Sequence, residues 1–353
     1  MREQLHAQAP AKLILSGEHA VLYGCPALAT SIDLPTQVTL TLDSTQPAGL
    51  TLDLIDFTRH YSFSWHDVLA RGAILQQRYR AFQQGQLTID QLLTRPSDLV
   101  ILVLSHGAIS PLIQQQACSI QIRSQAWLCR GLGSSAACLL ALLAVWRSAQ
   151  LHDASGDLAL AELIEQAQHL ENWQHGRSSG LDPSIIALGG AGRFERARGL
   201  TALPSWPLSA WLIDTGAPSS STGECVSDVA RRYDAQAAIW PEFKLVTERM
   251  QQAWLTQDLN ALKQQLNNNH QLLRQIGVVP SALDAPIAQL QQLGGVKLCG
   301  AGSVAGDAGG VLLYIGDTPP DAICQAQGWH TQPIQLGSAG LSWTKLATSG
   351  AIT

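Results

Sequence analysis

The segment Gly131-Leu-Gly-Ser-Ser-Ala-Ala137 is rich in glycine and serine and runs directly into the apolar segment Cys138-Leu-Leu-Ala-Leu-Leu143. This junction is the most informative part of the sequence for the fold. Glycines let backbone amides approach a ligand closely, and the amides and dipole at the start of a helix attract anions. The paired serines add hydroxyl groups suited to phosphate or Mg²⁺. The pattern therefore predicts an anion-binding loop leading into a helix over residues 134–150. The alternative is a loop that only caps a buried helix, with Ser134 or Ser135 as the N-cap.

This loop matches neither of the common nucleotide-binding signatures. No lysine follows its glycines in the manner of a Walker A loop, and the G-x-G-x-x-G spacing of dinucleotide-binding folds is absent. Since the chain has no long basic runs, we expect an anionic ligand to be held by local groups, namely loop amides, a few lysines or arginines, and a metal ion.

Two carboxylates lie downstream, Glu171 near the end of a predicted helix over 158–174 and Asp182 in the loop that follows. Phosphoryl transfer needs a hard oxygen ligand for Mg²⁺ and a carboxylate near the attacking hydroxyl group. We assign the first role to Glu171 and the second to Asp182. The alternative is that Glu171 is a solvated helix residue and Asp182 a turn residue before Pro183.

Upstream, residues 9–19 form an apolar strand pattern that contains Lys12 and ends in the pair Glu18-His19. A lysine beside a short buried strand is unusual, although many such lysines extend their ammonium group to the surface. A functional Lys12 would pair with the catalytic carboxylate and stabilise charge on the transferred phosphoryl group.

A second glycine-rich segment, residues 297–310, follows a predicted strand near the C-terminus. Its glycines at 300, 302 and 306 predict close backbone packing against a ligand-binding loop. The alternative is a flexible turn.

The composition limits the class of protein. With 353 residues and 46% hydrophobic content, the chain is long enough for two domains. Its longest apolar stretch, 136–146, is too short to cross a bilayer, and no secretory signal is recognisable, so we expect a cytoplasmic protein without membrane contact. A net charge of −5 without basic runs argues against a nucleic-acid partner. The seven scattered cysteines are expected to be reduced and mostly buried.

Hydrophobic periodicity predicts an α+β fold, because helices are grouped between strands instead of alternating with them. Charges, glycine and prolines at 193–207 place a domain boundary there, giving domains 1–204 and 205–353. Predicted antiparallel strands lie at 38–42, 50–54 and 120–122, and further strands at 210–213, 296–298 and 311–315. Predicted helical segments lie at 64–86, 89–116, 134–150, 158–174 and 224–293, the last with breaks at 240–241 and 277–280.

Taken in order, these motifs resemble those of the GHMP kinases, and APAKLILSGEHAVLYGCPALATSI at residues 9–32 is similar to the mevalonate kinase form of the first motif. The resemblance covers most of the chain. It implies a two-domain GHMP kinase fold, with an N-terminal domain like ribosomal protein S5 domain 2, a ferredoxin-like C-terminal domain and the active site between them. It also implies transfer of the γ-phosphoryl group of ATP, with Mg²⁺, to the primary hydroxyl group of mevalonate.

The resemblance assigns roles to individual residues. Lys12 and Asp182 are the implied catalytic pair, and Ser135 and Glu171 the implied Mg²⁺ ligands. The implied ATP-binding loop comprises Gly131, Leu132, Gly133, Ser134, Ser135 and Ala136. The implied substrate-binding residues are Glu18, His19, Ser179, Thr222, Gly300 and Ala301. A homodimer is a further expectation.

The chain departs from the family pattern in two places. Residues 127–130 replace the usual proline and glycine before the loop, and Arg130 there is interpreted either as a phosphate contact or as a surface residue. Residues 303–307 replace further glycines, and no role is assigned to Asp307. Two alternatives to mevalonate phosphorylation follow, a GHMP kinase with another acceptor, such as a sugar or phosphomevalonate, and a non-catalytic ligand-binding paralogue.

Overall fold

The computed structural model describes residues 2–128, 130–151 and 158–346, and the elements named below are those of these ranges. The strands are β1 Arg2–Ser16, β2 Ala27–Asp43, β3 Gly49–Leu54, β4 Arg59–Phe63, β5 Ala117–Ser124, β6 Ala191–Glu195, β7 Gly199–Leu203, β8 Leu208–Asp214, β9 Gly294–Cys299, β10 Val311–Gly316, β11 His330–Leu336 and β12 Ser342–Leu346. The helices are α1 Trp65–Gln83, α2 Asp98–Ser105, α3 Pro111–Gln114, α4 Ser134–Gln150, α5 Leu160–His175, α6 Leu181–Leu188, α7 Thr222–Arg232, α8 Ile239–Leu255, α9 Leu259–Gln275, α10 Asp284–Leu293 and α11 Asp321–Ala326.

All the described strands join one mixed sheet. Its main path runs β4-β3-β5-β2-β11-β8-β10-β9, while β1 lies between β2 and β12, and the β6–β7 hairpin joins β2. The link between β2 and β11 is a single residue pair, Ile32 with Leu336. The expected α+β class is confirmed, and the division into domains at residue 204 stays a prediction.

The predicted strands near the N-terminus are present, but the expectation that all of them pair in antiparallel fashion is wrong. β3 runs antiparallel to β4, and β2 antiparallel to β5, whereas β3 and β5 are parallel. The reason lies in the connection between them, which passes through β4 and α1 to α3. A long crossover of this kind returns the chain in its original direction.

Most predicted helices are also present, and α4 begins and ends at the predicted residues. The break expected at Trp240-Pro241 lies earlier, at residues 233–238, because α8 starts at Ile239 and Pro241 lies in its first turn. A proline is tolerated there, since the first amides of a helix have no carbonyl partner within it. The predictions missed α6 and the β6–β7 hairpin, which overlaps the expected boundary region.

Helix α4 is the central element of the N-terminal half. It packs against β1 and β2 on one side and against α2, α5 and α6 on the other. Its side chains are therefore buried almost all round, as expected for a helix that is apolar on every face. This packing fixes the helix start, and with it the glycine-rich loop, next to β1 and α6.

A second group of helices, α8 to α10, covers the C-terminal strands. The six described cysteines are free, and all but Cys138 are buried, which agrees with the expected reduced thiols. Cys129 lies outside the described residues. Within the described ranges, no helix has the length and apolar character needed to cross a membrane.

Candidate active site

The glycine-rich loop is shaped by two left-handed glycines. Gly131 and Gly133 both have φ of 73°, and a Cβ atom on Gly133 would lie 2.8 Å from Cγ of Lys12. Gly133 is the N-cap of α4, so Ser134 and Ser135 occupy the first two helical positions. The alternative that a serine serves only as the N-cap is therefore wrong.

Lys12 is held against this loop from β1. Its backbone amide donates to the carbonyl oxygen of Leu132 at 2.9 Å, and its ammonium group lies 3.1 Å from Oδ2 of Asp182. Lys12 is only 5% exposed, so it does not extend to the surface. Asp182, in the first turn of α6, is partly open to solvent. The arrangement places a buried cation beside a carboxylate that a ligand can reach.

Glu171 lies in the same cluster, near the end of α5. Its side chain is buried and accepts a hydrogen bond of 2.6 Å from the hydroxyl of Ser178. Burial, and then the negative charge of Asp182, raise the pKa of Glu171 to about 8. Two neighbouring carboxylates, one of them desolvated, are an arrangement that a cation stabilises.

The residues present fit a magnesium ion. Glu171 and Ser135 offer carboxylate and hydroxyl oxygens, the hard donors that Mg²⁺ prefers. The described part of the chain holds no cluster of three or more His, Cys, Asp or Glu suited to a metal. Mg²⁺ commonly takes only one or two protein ligands, because phosphates and waters complete its shell.

A cavity of about 390 Å³ opens beside the loop. The lining is mostly apolar and includes the hydroxyl-bearing Ser134 and Ser135 at the start of α4, a combination typical of small-molecule sites. The cavity is lined by Thr36, Leu54, Asp56, Phe57, Leu93, Thr94, Arg95, Pro96, Leu99, Val100, Ile122, Ser124, Leu128, Ser134, Ser135, Cys138 and Gln174.

One wall of this cavity is a loop shaped by a buried carboxylate. Asp98 is fully buried and receives two hydrogen bonds from Arg71, at 2.8 and 2.7 Å. It also accepts from the backbone amides of Thr94 and Arg95, each at 2.9 Å. These bonds satisfy the carboxylate and tie the loop to α1 and α2.

The Glu18-His19 turn faces the third motif. His19 has φ of 51°, unusual for a residue with a side chain. Its Nε2 lies 3.0 Å from the carbonyl oxygen of Ala301 and must donate the hydrogen, while Nδ1 is buried without a partner. Burial lowers the pKa of His19. The imidazole is therefore neutral, with Nδ1 as a hydrogen-bond acceptor.

Glu18 is held by residues that the sequence reasoning did not assign. Its carboxylate forms a buried ion pair with Lys297 and accepts a hydrogen bond from Asn269 at 3.3 Å. Lys297 also donates to the carbonyl oxygen of Ile14 at 2.8 Å. The signal for Lys297 was available, since it is a lysine inside an apolar strand, like Lys12.

The third motif meets the glycine-rich loop. A Cβ atom on Gly131 would lie 3.4 Å from Cα of Gly300, so the two loops are in close contact. In the same motif, a Cβ on Gly302 would lie 2.1 Å from the carbonyl oxygen of Val278. The close packing predicted for these glycines is present.

Two residues with implied substrate contacts lie less centrally. The hydroxyl of Ser179 accepts from the amide of Leu181 at 3.2 Å, and the neighbouring Ser178 contacts Glu171 instead. Thr222 is exposed at the start of α7. No contact joins either residue to Lys12 among those described.

Arg130 is neither a free surface residue nor a free phosphate ligand. Its guanidinium group forms a two-point ion pair with Asp214, from Nε to Oδ1 at 2.9 Å and from Nη2 to Oδ2 at 3.1 Å. The surface interpretation is wrong because the side chain is only 19% exposed.

Comparison with known proteins gives one family model and many relatives. The model for the GHMP kinases N terminal domain matches residues 100–190. The mevalonate kinase of Pyrococcus abyssi is 29% identical over 87% of this chain and 87% of its own length. That of Archaeoglobus fulgidus is 27% identical over 89% of this chain and 93% of its own length.

A solved structure of similar fold is the Methanococcus jannaschii mevalonate kinase, with a TM-score of 0.74 and 18% identity over 94% of this chain and 98% of that one. The family model covers α4 and the acidic cluster, and the relatives cover both halves of the chain. In sequence this chain is therefore similar to the GHMP kinase superfamily and is mevalonate kinase-like.

Proposed function

We propose that this chain transfers the γ-phosphoryl group of ATP to the primary hydroxyl group of mevalonate, giving 5-phosphomevalonate and ADP. The observation that carries the proposal is the Lys12–Asp182 pair, 3.1 Å apart and packed against the glycine-rich loop. ATP is the phosphate donor of kinases in this superfamily. Mevalonate as the acceptor is supported by curated mevalonate kinases that match nearly the whole chain.

In the proposed reaction, Asp182 accepts or orients the proton of the attacking hydroxyl group. Its partial exposure leaves the carboxylate accessible to an acceptor. The buried ammonium group of Lys12 lies beside this carboxylate and stabilises negative charge as the oxygen attacks. Catalysis of this kind relies on positioning and charge neutralisation instead of a covalent intermediate.

For the nucleotide, the loop from Gly131 to Ala136 binds the phosphates and the adjoining cavity takes the nucleoside. The mostly apolar lining of that cavity suits a base, and its two serines suit a phosphate chain. Ser135 and Glu171 would hold Mg²⁺, which neutralises phosphate charge when bound. A bound cation would also favour the ionised form of Glu171, whose pKa is raised in its absence.

For the acceptor, the proposed site is the turn at Glu18 and His19. The neutral imidazole offers Nδ1 as an acceptor for a substrate hydroxyl group. Ser179, Thr222, Gly300 and Ala301 are proposed as further contacts. Two domains at 1–204 and 205–353, a cytoplasmic location and a homodimer stay predictions.

The test is ADP release by the purified protein with MgATP and each of four acceptors, namely mevalonate, galactose, homoserine and phosphomevalonate. Selective turnover of mevalonate is expected. Preference for another acceptor would replace the substrate but keep the kinase. No turnover from a folded protein that binds MgATP would instead favour an untested acceptor or a non-catalytic paralogue.

A further inference from the structure

The ion pair between Arg130 and Asp214 joins two parts of the chain that are 84 residues apart. Arg130 lies directly before the glycine-rich loop, and Asp214 is the last residue of β8. Both side chains are mostly buried, 19% and 17% exposed, and the contact has two parallel hydrogen bonds. Such two-point pairs fix direction as well as distance.

The Asp214 end of the pair is rigid. Its Oδ1 also accepts from the backbone amide of Gly216 at 2.9 Å. The next residue, Thr215, donates to the carbonyl oxygen of Gly310 from both its amide and its hydroxyl, at 2.9 and 2.8 Å. The carboxylate is therefore held by the turn that follows β8 and by its contacts with the residue before β10.

The Arg130 end belongs to a loop that needs external support. Gly131 has a left-handed backbone conformation. Glycine has no Cβ atom, so its backbone is less restricted than that of any other residue. The far side of the loop is fixed by the hydrogen bond from the amide of Lys12 to Leu132. On the side near Arg130, Gly131 lies against Gly300, and because both residues are glycines no side chain contributes to this contact. Arg130 supplies the charged contact that fixes the entry to the loop.

We infer that Arg130 and Asp214 are positioning residues, which set the glycine-rich loop for nucleotide phosphates by tying it to β8. In this role Arg130 acts through the loop, because its Nε and Nη2 donors bind the carboxylate and hold the guanidinium group against Asp214. The inference rests on the proposed nucleotide site. A small displacement of catalytic groups lowers rates steeply, so a loosened loop has measurable consequences.

The experiment is calorimetric titration of the full chain with MgADP. The variants are Arg130→Gln, Asp214→Asn and the double variant, with Arg193→Gln as the control because Arg193 forms an ion pair of similar exposure with Glu195. Asp214→Asn keeps an oxygen that can accept from Gly216. Thermal unfolding of each variant verifies folding, and Arg130→Lys, which keeps the charge, is expected to bind with intermediate affinity.

Each single variant is expected to weaken MgADP binding about tenfold, equivalent to ~1.4 kcal/mol. The double variant should be no weaker than either single one, because both changes remove the same contact. The control should stay within about twofold of the wild type. In turnover assays, the KM for ATP should rise while that for the acceptor stays unchanged, a split that general loss of stability does not produce.

Three outcomes overturn the inference. If Arg130→Gln weakens binding but Asp214→Asn does not, the arginine contacts the nucleotide itself. If neither variant changes MgADP affinity in a wild type that binds, the ion pair does not position the loop. A folded wild type that fails to bind MgADP would refute the proposed nucleotide site, and this inference with it.

Discussion

Replacing Lys297 by methionine should destabilise the protein strongly. Lys297 is fully buried and its partner Glu18 is 3% exposed. Methionine fills similar volume but removes the cation, so Glu18 would keep a buried charge with Asn269 as a remaining hydrogen-bond donor. Breaking a buried ion pair from one side costs about 3–5 kcal/mol. The change also removes the hydrogen bond from Lys297 to the carbonyl oxygen of Ile14. We expect the total loss in the free energy of unfolding to lie within that range.

The measurement is the free energy of unfolding from urea denaturation, after the transition has been shown to be two-state. A double variant, Lys297→Met with Glu18→Gln, removes both charges and should recover a large part of the loss. The matched control is Lys263→Met, since the partner of Lys263, Asp317, is 92% exposed. That change should cost less than about 1 kcal/mol.

The reasoning is refuted if Lys297→Met costs no more than the control. It is also refuted if the double variant is destabilised by the sum of its single changes. In that case the two side chains would contribute independently, and the buried charge would not be the cause.

Three further predictions concern the catalytic pair, the loop and the pH response. Asp182→Asn should lower kcat by about 10²–10⁴-fold while MgATP affinity is kept, and near-normal turnover would disprove its proton-accepting role. Gly133→Ala should abolish MgADP binding, because its Cβ would collide with Lys12 at a positive φ, and calorimetry alongside exposed Gly223→Ala checks this. In the folded chain, burial lowers the pKa of His270 to about 4. As the pH falls below about 6.5, His270 therefore takes up a proton in the unfolded chain before it does so in the folded chain. Stability should therefore drop by about 2 kcal/mol more between pH 7 and pH 5 than in His270→Gln, and equal slopes in urea denaturation would contradict the assignment.

The local elements were predictable because their causes are local. The apolar run after Ser135 indicates a buried helix by itself, and glycines at 131 and 133 indicate a loop with left-handed backbone. The alternation in β2, β3 and β5 indicated strands in the same way. Local patterns do not encode strand partners, which is why the parallel pairing of β3 and β5 was missed.

The sequence by itself determined the superfamily resemblance, the α+β class and the motifs that carry Lys12, Glu171 and Asp182. The sequence identified these residues individually, because it records residue type and order but not which residues lie close together. The tertiary structure alone decided how they meet, including the raised pKa of Glu171, which arises from burial and from the charge of Asp182.

Only the fold revealed the ion pairs of Lys297 with Glu18 and of Arg130 with Asp214, which join residues 279 and 84 positions apart. Electrostatic energy depends on distance and on the surrounding dielectric, and both are set by packing of the whole chain. For that reason the sequence determined which groups are available to this site, and the tertiary structure decided which of them are paired, buried and held in place.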